Sequence, residues 1–302
     1  MVVPPPIRAH ALSKLYGRDR GVVDLDFTVH SGEVFAYLGP NGAGKTTTIR
    51  LILDLIRPTR GTIEVFGHDP RRDVSLRRRI GYLPGDLRLY ERLSPRELCV
   101  YFAHLRGLHG TGRAEEIASL LELPFERPIG SLSKGNRQKT GILQAFMHDP
   151  DLLVLDEPTA GLDPLVQQLF YRLLAQAQER GATTFLSSHV LPEVQHVADR
   201  VAVVRDGRLV LVEGVDELRA RASTRLEATF ASAPPPQAFA GLETAEEIDR
   251  HGRTVLFAVH GELDPLIKAL ARHRVTAIDS HEADLEDIFL TLYRNGGERH
   301  AA

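Results

Sequence analysis

Cysteine is nearly missing from this sequence: Cys99 is the only one among 302 residues. One thiol closes no internal disulfide, which excludes a disulfide-stapled scaffold and fits a reducing compartment. Within a helix-like apolar pattern, Cys99 reads as a packed residue. Long apolar runs are missing too. No stretch of about 18 apolar residues occurs, so no helix is expected to cross a bilayer. The opening "MVVPPPIRAH" holds no apolar core of signal-peptide length. Basic excess is also lacking. A net charge of -3 and a pI near 6.5 lack the electrostatic footprint of a nucleic-acid binder. Repeats are absent, low complexity is limited to proline triplets, and His251, His260 and His281 are too scattered to suggest a metal site. The expectation is a cytoplasmic protein that would reach a membrane only through a partner.

What is present is an ordinary globular balance, 43% hydrophobic and 25% charged, on a chain long enough for one large and one small domain. Residues 1–67 read as short strands, "IRAHALSKLY", "VVDLDFTV", "EVFAYLG" and "GTIEVFG". The third runs into "GPNGAGKTTTIRLILDLI", where Ile49, Ile52, Leu53 and Ile56 recur at helical spacing. Residues 94–148 carry helical segments only, the first opened by Ser94, Pro95 and Glu97 as cap, first-turn proline and N3 acid. After Pro150 the order is strand "LLVLD", helix "LVQQLFYRLLAQAQERG", strand "TTFLSSH", then a hairpin turning at Asp206-Gly207. Strands alternating with helices predict a largely parallel sheet covered on both faces. A composition shift near residue 220, then "SAPPPQ", predicts a boundary between residues 1–219 and a small α+β module over 220–302. That module is expected to end in a helix "DLEDIFLTLY" capped by Asp284.

Two motifs carry chemistry. "GPNGAGKT", Gly39 to Thr46, fits the phosphate loop G-x-x-x-x-G-K-[ST] and sits between strand and helix as that motif requires. Its backbone N–H groups would face phosphates, Lys45 would reach the β- and γ-phosphates, and Thr46 would ligate Mg²⁺. "LLVLDEP" is an apolar strand whose acids emerge at the carboxyl end, where ligands bind in such sheets. Asp156 is placed to hold Mg²⁺ through water and Glu157 to polarise an attacking water. His189 would lie at a neighbouring strand end, a place where packing or capping is the commoner role of a histidine.

In order, "GPNGAGKTT", "LSKGN", "LLVLDEP", "AGLD" and "SSH" resemble the motifs of the ATP-binding cassette (ABC) ATPases, the motor subunits of ABC transporters, across residues 7–215. The resemblance implies a P-loop NTPase core with an antiparallel β subdomain and a helical subdomain at about 86–148. It implies ATP held by Gly39, Asn41, Gly42, Ala43, Gly44, Lys45, Thr46 and Thr47, with Tyr16 against the adenine. Glu157, His189 and Lys45 would be catalytic, and Thr46 and Asp156 would hold Mg²⁺. Ser133, Gly135 and Asn136 would cap the ATP of the opposite subunit in a head-to-tail dimer, and Asp163 would cross that interface. The chemistry of the segment agrees: a hydroxyl, a glycine open to backbone approach and a helix start all favour an anion. "SLSKGNRQK", "GYLPG" and "LEDIFLTLY" look like ATPase subunits of bacterial multidrug or antibiotic exporters of the daunorubicin-exporter type, which implies a polytopic membrane permease as partner and a peripheral position at the inner face of the membrane.

Two positions depart from the family pattern. Lys134 and Asn136 replace a glycine and a glutamine of the usual signature; the amide is kept, and a cation beside a phosphate leaves the site competent. Gly85 stands where the family normally has a glutamine, with Asp86 as a candidate substitute. Two rivals remain: a soluble ABC ATPase acting on nucleic acid or ribosomes, and a P-loop kinase. In the dimeric ABC reading, Ser133→Arg abolishes ATP turnover while ATP binding measured by nucleotide titration persists; in a kinase or self-contained ATPase, turnover is unchanged.

Overall fold

The computed structural model describes residues 3–17, 19–221, 224–242 and 244–281, and the chain divides into two compact units, 1–213 and 214–302. In the first unit β1 (Ile7–Tyr16) pairs antiparallel with β2 (Asp19–Val29). The chain then leaves for β3 (Val34–Leu38), all five residues of which are buried, and after α1 (Lys45–Ile52) returns as β4 (Arg60–Val65) on the other side of β1. The result is a three-stranded antiparallel sheet, β2-β1-β4.

The second sheet of this unit joins β3 to β5 (Ile80–Leu83), β6 (Leu152–Asp156), β7 (Thr183–Ser188), β8 (Arg200–Arg205) and β9 (Arg208–Gly214), in the order β5-β6-β7-β3-β8-β9. The pairs β5–β6, β6–β7, β7–β3 and β3–β8 are parallel, as the strand–helix alternation predicts. β8 and β9 meet through Asp206 and Gly207, both at positive φ (49° and 75°), the conformation a two-residue hairpin turn requires. The two sheets are welded by rings. Phe27 of β2 lies 5.8 Å from Phe35, 6.0 Å from Tyr37 and 6.1 Å from Phe185. Burying each such ring contributes about 2–3 kcal/mol. This packing holds the end of β3 rigid where the phosphate loop begins.

Between β5 and β6 come α2 (Pro95–Arg106), α3 (Ala114–Leu120) and α4 (Lys134–Phe146). Ser94 and Glu97 form a reciprocal capping box, and Gly107 at φ 70° ends α2. Cys99 on α2 is buried, which pushes its thiol up to about 12 and leaves it unreactive at neutral pH. α5 (Pro164–Glu179) and α6 (Leu191–Val197) follow β6 and β7. α1 is shorter than its apolar spacing predicts: it stops at Ile52, Asp54 turns to φ 53°, and the N–H groups of Leu55 and Ile56 donate back to Arg50 O. Pro58 disfavours helix at Arg57, so Leu53 and Ile56 lie beyond the last turn.

The division falls between Glu213 and Gly214, earlier than the boundary expected near residue 220, so α7 (Val215–Arg221) belongs to the second unit. That unit contains β10 (Thr224–Phe230), β11 (Ala245–His251), β12 (Thr254–Val259), α8 (Asp264–Leu270) and β13 (Val275–His281). The strands form an antiparallel sheet, β11-β12-β10-β13, over a core that includes Phe230, Phe239, Phe257 and Leu266. The helix expected over "DLEDIFLTLY", with its cap Asp284, lies outside the described residues.

His148, just after α4, ties the helical layer to the sheet edge through Nε2, 3.2 Å from Ile80 O of β5. Burial, helped by the nearby Arg106 charge, lowers its pKa from 6.5 to about 4. Between those values the unfolded chain binds more protons, so stability present at neutral pH is lost as pH falls from about 6.5 toward 4. The loss is on the order of 2–3 kcal/mol. Denaturant titrations at pH 7 and pH 4.5 should show His148→Gln less acid-sensitive than the parent by that margin.

Candidate functional site

The phosphate loop leaves β3 at Gly39, whose N–H donates to Ser188 O at 3.2 Å, and enters α1 at Lys45. Gly44, at φ 101°, is the N-cap. A Cβ there would meet Val22 Cγ1 at 2.6 Å and Gly21 O at 2.9 Å, so both the backbone angle and the space demand glycine. No side chain caps α1, whose first-turn N–H groups stay available for an anion. The β8–β9 turn braces the loop from behind, Gly207 N–H donating to Ala43 O at 3.2 Å.

Two acids meet this loop. Asp156, at the end of β6, is buried and accepts hydrogen bonds from Thr46 Oγ1 (2.9 Å) and Ser187 Oγ (2.5 Å). Its neighbour Glu157 stands at φ 50°, a strained conformation for a side-chain-bearing residue, and its N–H donates to Ser187 Oγ (3.1 Å). That turn aims the Glu157 carboxylate between two nitrogens. Oε1 lies 3.1 Å from Lys45 Nζ, and Oε2 lies 2.7 Å from His189 Nδ1. The Lys45 contact is an ion pair without hydrogen-bond geometry, so Oε1 is a buried oxygen without a donor. Nζ itself donates to Gly39 O (2.7 Å) and Pro40 O (3.2 Å).

A cavity of about 310 Å³ collects Tyr16, Asn41, Gly42, Gly44, Lys45, Thr46, Thr47, Asp156 and Glu157. Tyr16 stands half-exposed at its rim. Ala43 is buried beneath the loop, and Gly39 contributes its carbonyl to Lys45. Gly21 also lines the cavity, and sequence reasoning missed it. So too was Ser187, which holds both acids; its place in "SSH" beside His189 was the available signal. Mg²⁺ fits the donor set. Thr46 and Asp156 offer two hard oxygens side by side, while no group of three or more His, Cys, Asp or Glu among the described residues could hold a metal alone. Such a pair suits an ion shared with phosphates and water.

Ser133, Gly135, Asn136 and Asp163 do not line this cavity. Ser133 caps α4 by accepting from Asn136 N (3.3 Å), and Asp163 caps α5 by accepting from Val166 N (3.0 Å). A Cβ on Gly135 would meet nothing within 4 Å, so the chain's own packing does not require glycine there. Lys134 lies against the "AGLD" loop, its Cε 3.5 Å from where a Gly161 Cβ would stand. Gly85 lies beside Asp156: a Cβ there would stand 3.3 Å from that carboxylate. Asp86 does not replace the missing side chain. Its carboxylate pairs with Arg88 at 3.2 Å, and both side chains are solvent-exposed.

A phosphate loop and an Asp-Glu strand end meeting at the carboxyl edge of a parallel sheet define a P-loop nucleoside triphosphatase. The family model described as "ABC transporter" matches residues 22–160. The chain is 34% identical to the bacitracin transport ATP-binding protein BcrA of Bacillus licheniformis, over 96% of this chain and 98% of that protein. It is 32% identical to the Nod factor export ATP-binding protein I of Burkholderia orbicola, over 95% and 96%. Among solved structures, an ATP-binding subunit of an ABC transporter covers 70% of this chain at 31% identity, with a TM-score of 0.65. The chain belongs to the ABC transporter family as an ATP-binding subunit, an ATPase.

Gly44→Ala should lower affinity for a fluorescent ATP analogue by tenfold or more. The added methyl must displace Val22 or the Gly21 carbonyl in a backbone conformation that disfavours it.

Proposed function

We propose that this chain is the motor subunit of an exporter: two copies, or one copy and a similar subunit, close head to tail on two ATP molecules and drive a separate membrane permease. The observation that carries this is the pairing of contacts at the phosphate loop with an anion-suited helix start that lies outside its cavity. Lys45, Glu157 and His189 form one chain of contacts at the phosphate loop, whereas the anion-suited start of α4 does not line that cavity. Ser133, Gly135 and Asn136 then cap a second subunit's ATP, and Asp163 lies at the interface.

In this reading Glu157 orients water for in-line attack on the γ-phosphate and His189 holds the Oε2 side of that carboxylate. Lys45 neutralises the β- and γ-phosphate oxygens. Thr46 and Asp156 would hold Mg²⁺, which would supply further charge neutralisation for the triphosphate. Only ATP carries the γ-phosphate that bridges the subunits, so closure follows from differential affinity and hydrolysis reopens the dimer. Tyr16 packs against the adenine. The ATP chemistry belongs to the first unit, and the second unit is an accessory domain.

The permease side is supported by the helical layer. Tyr90, Val100, Tyr101 and Leu105 stand exposed, with the Tyr90 and Tyr101 rings 5.6 Å apart, an apolar surface suited to a short partner helix. Among the described residues no helix is long and apolar enough to cross a membrane. Peripheral attachment through the permease accounts for function at the bilayer, and the names of the two relatives, one for bacitracin transport and one for Nod factor export, support an exporter.

Glu157→Gln should bind ATP with near-normal affinity and hydrolyse it at least 10²-fold more slowly. Captured with ATP from solubilised membranes of its own host, it should bring down a polytopic membrane protein. Recovery of ribosomes, nucleic acid or soluble partners alone would sink the exporter reading in favour of a soluble ABC ATPase.

A further inference from the structure

Glu193, in the first turn of α6, is a buried acid with no part in the chemistry above; it is 5% exposed. Both of its oxygens are engaged by other segments. Thr159 Oγ1 donates to Oε1 at 2.7 Å, and Ser188 Oγ donates to Oε2 at 2.6 Å. Thr159 belongs to the loop that follows Glu157: Ala160 N–H donates to Glu157 O (3.1 Å) and Leu162 N–H to Thr159 O (3.0 Å), and the loop then caps α5 through Asp163. Ser188 directly precedes His189 and also accepts from Val190 N (3.0 Å). A single carboxylate therefore spans the two loops that carry Glu157 and His189.

A carboxylate is an expensive choice for such a place, since burial raises its pKa against the two hydroxyls and the nearby His189 that lower it. An apolar side chain would fill the space at less cost but could not accept from both loops. Side-chain acceptors of this kind lock the residues they bind, and catalytic groups depend on such locking for sub-ångström placement.

We propose that Glu193 is a positioning residue for ATP hydrolysis: it holds the Thr159–Asp163 loop and the Ser188–His189 loop in one register, so that His189 meets the Glu157 carboxylate and the interface loop moves with the hydrolytic pair. This rests on the reading that Glu157 and His189 act in hydrolysis. Glu193, Thr159 and Ser188 do not line the nucleotide cavity, so their loss should act on turnover and spare ATP binding.

The test is steady-state ATPase kinetics of purified full-length protein, with Glu157→Gln measured alongside. Glu193→Ala should lower kcat at least tenfold with KM for ATP within about threefold of the parent, the signature of an interaction used in the transition state. Glu193→Gln keeps one acceptor and adds an amide donor that a hydroxyl can accept, so it should recover most of the lost kcat. If Glu193→Ala does not fold, Ser188→Ala and Thr159→Val each remove one of the two hydrogen bonds; either should lower kcat at unchanged KM. An unaltered kcat in the folded variants, or a Gln variant no better than Ala, overturns the proposal. If Glu157→Gln itself hydrolyses ATP at the parent rate, the underlying reading of the site has failed instead.

Discussion

The site depends on one buried carboxylate. Asp156 closes β6 and accepts a hydrogen bond from Ser187 on β7 and another from Thr46 on α1, joining two strands and the phosphate-loop helix at one point. A carboxylate this deeply buried is stable only while both oxygens are satisfied. The parallel register sets the pairing, since Asp156 and Ser187 are direct neighbours across β6 and β7. The same serine receives the N–H of Glu157, so the strained turn after Asp156 is held by the strand that also delivers His189. Asp156, Glu157 and His189 are thus placed by one sheet edge.

That edge is rigid for reasons remote from the chemistry. The Phe27, Phe35, Tyr37 and Phe185 rings lock the antiparallel sheet onto the parallel one, so the strand before Gly39 has no freedom to shift. The phosphate loop then follows between a fixed strand and a short helix, with Gly207 bracing it from the hairpin side. Ser133 and Asp163 are built differently. Each caps a helix, a local role that keeps it ordered at the surface without a ligand.

Much of this was legible beforehand. The phosphate loop, the acidic strand end and the cap at Ser94 are local features, written in adjacent residues and in backbone geometry that short range dictates. Elements with weak periodicity escaped: "IGYL" is a four-residue edge strand, "AEEIDRH" an edge strand with mostly polar residues, and "LPEVQHV" a helix of two turns. Such segments are held by their neighbours more than by their own propensity. Asp86 adjoins Gly85 in sequence, but it lies in a bend after β5 and its carboxylate pairs with the exposed Arg88.

The sequence by itself determined the class of chemistry, because phosphate binding and water activation each need particular residue types at short spacing. It also determined the alternation of strands and helices that makes a parallel sheet. Only the tertiary structure decided which of these groups touch. Lys45, Glu157 and His189 lie far apart along the chain and meet because β3, β6 and β7 are neighbours in the sheet. Ser187 and Glu193 acquire their partners in the same way, from strand register and from the turn of α6. Pairings of this kind are settled by packing across the whole fold, which no local spacing encodes.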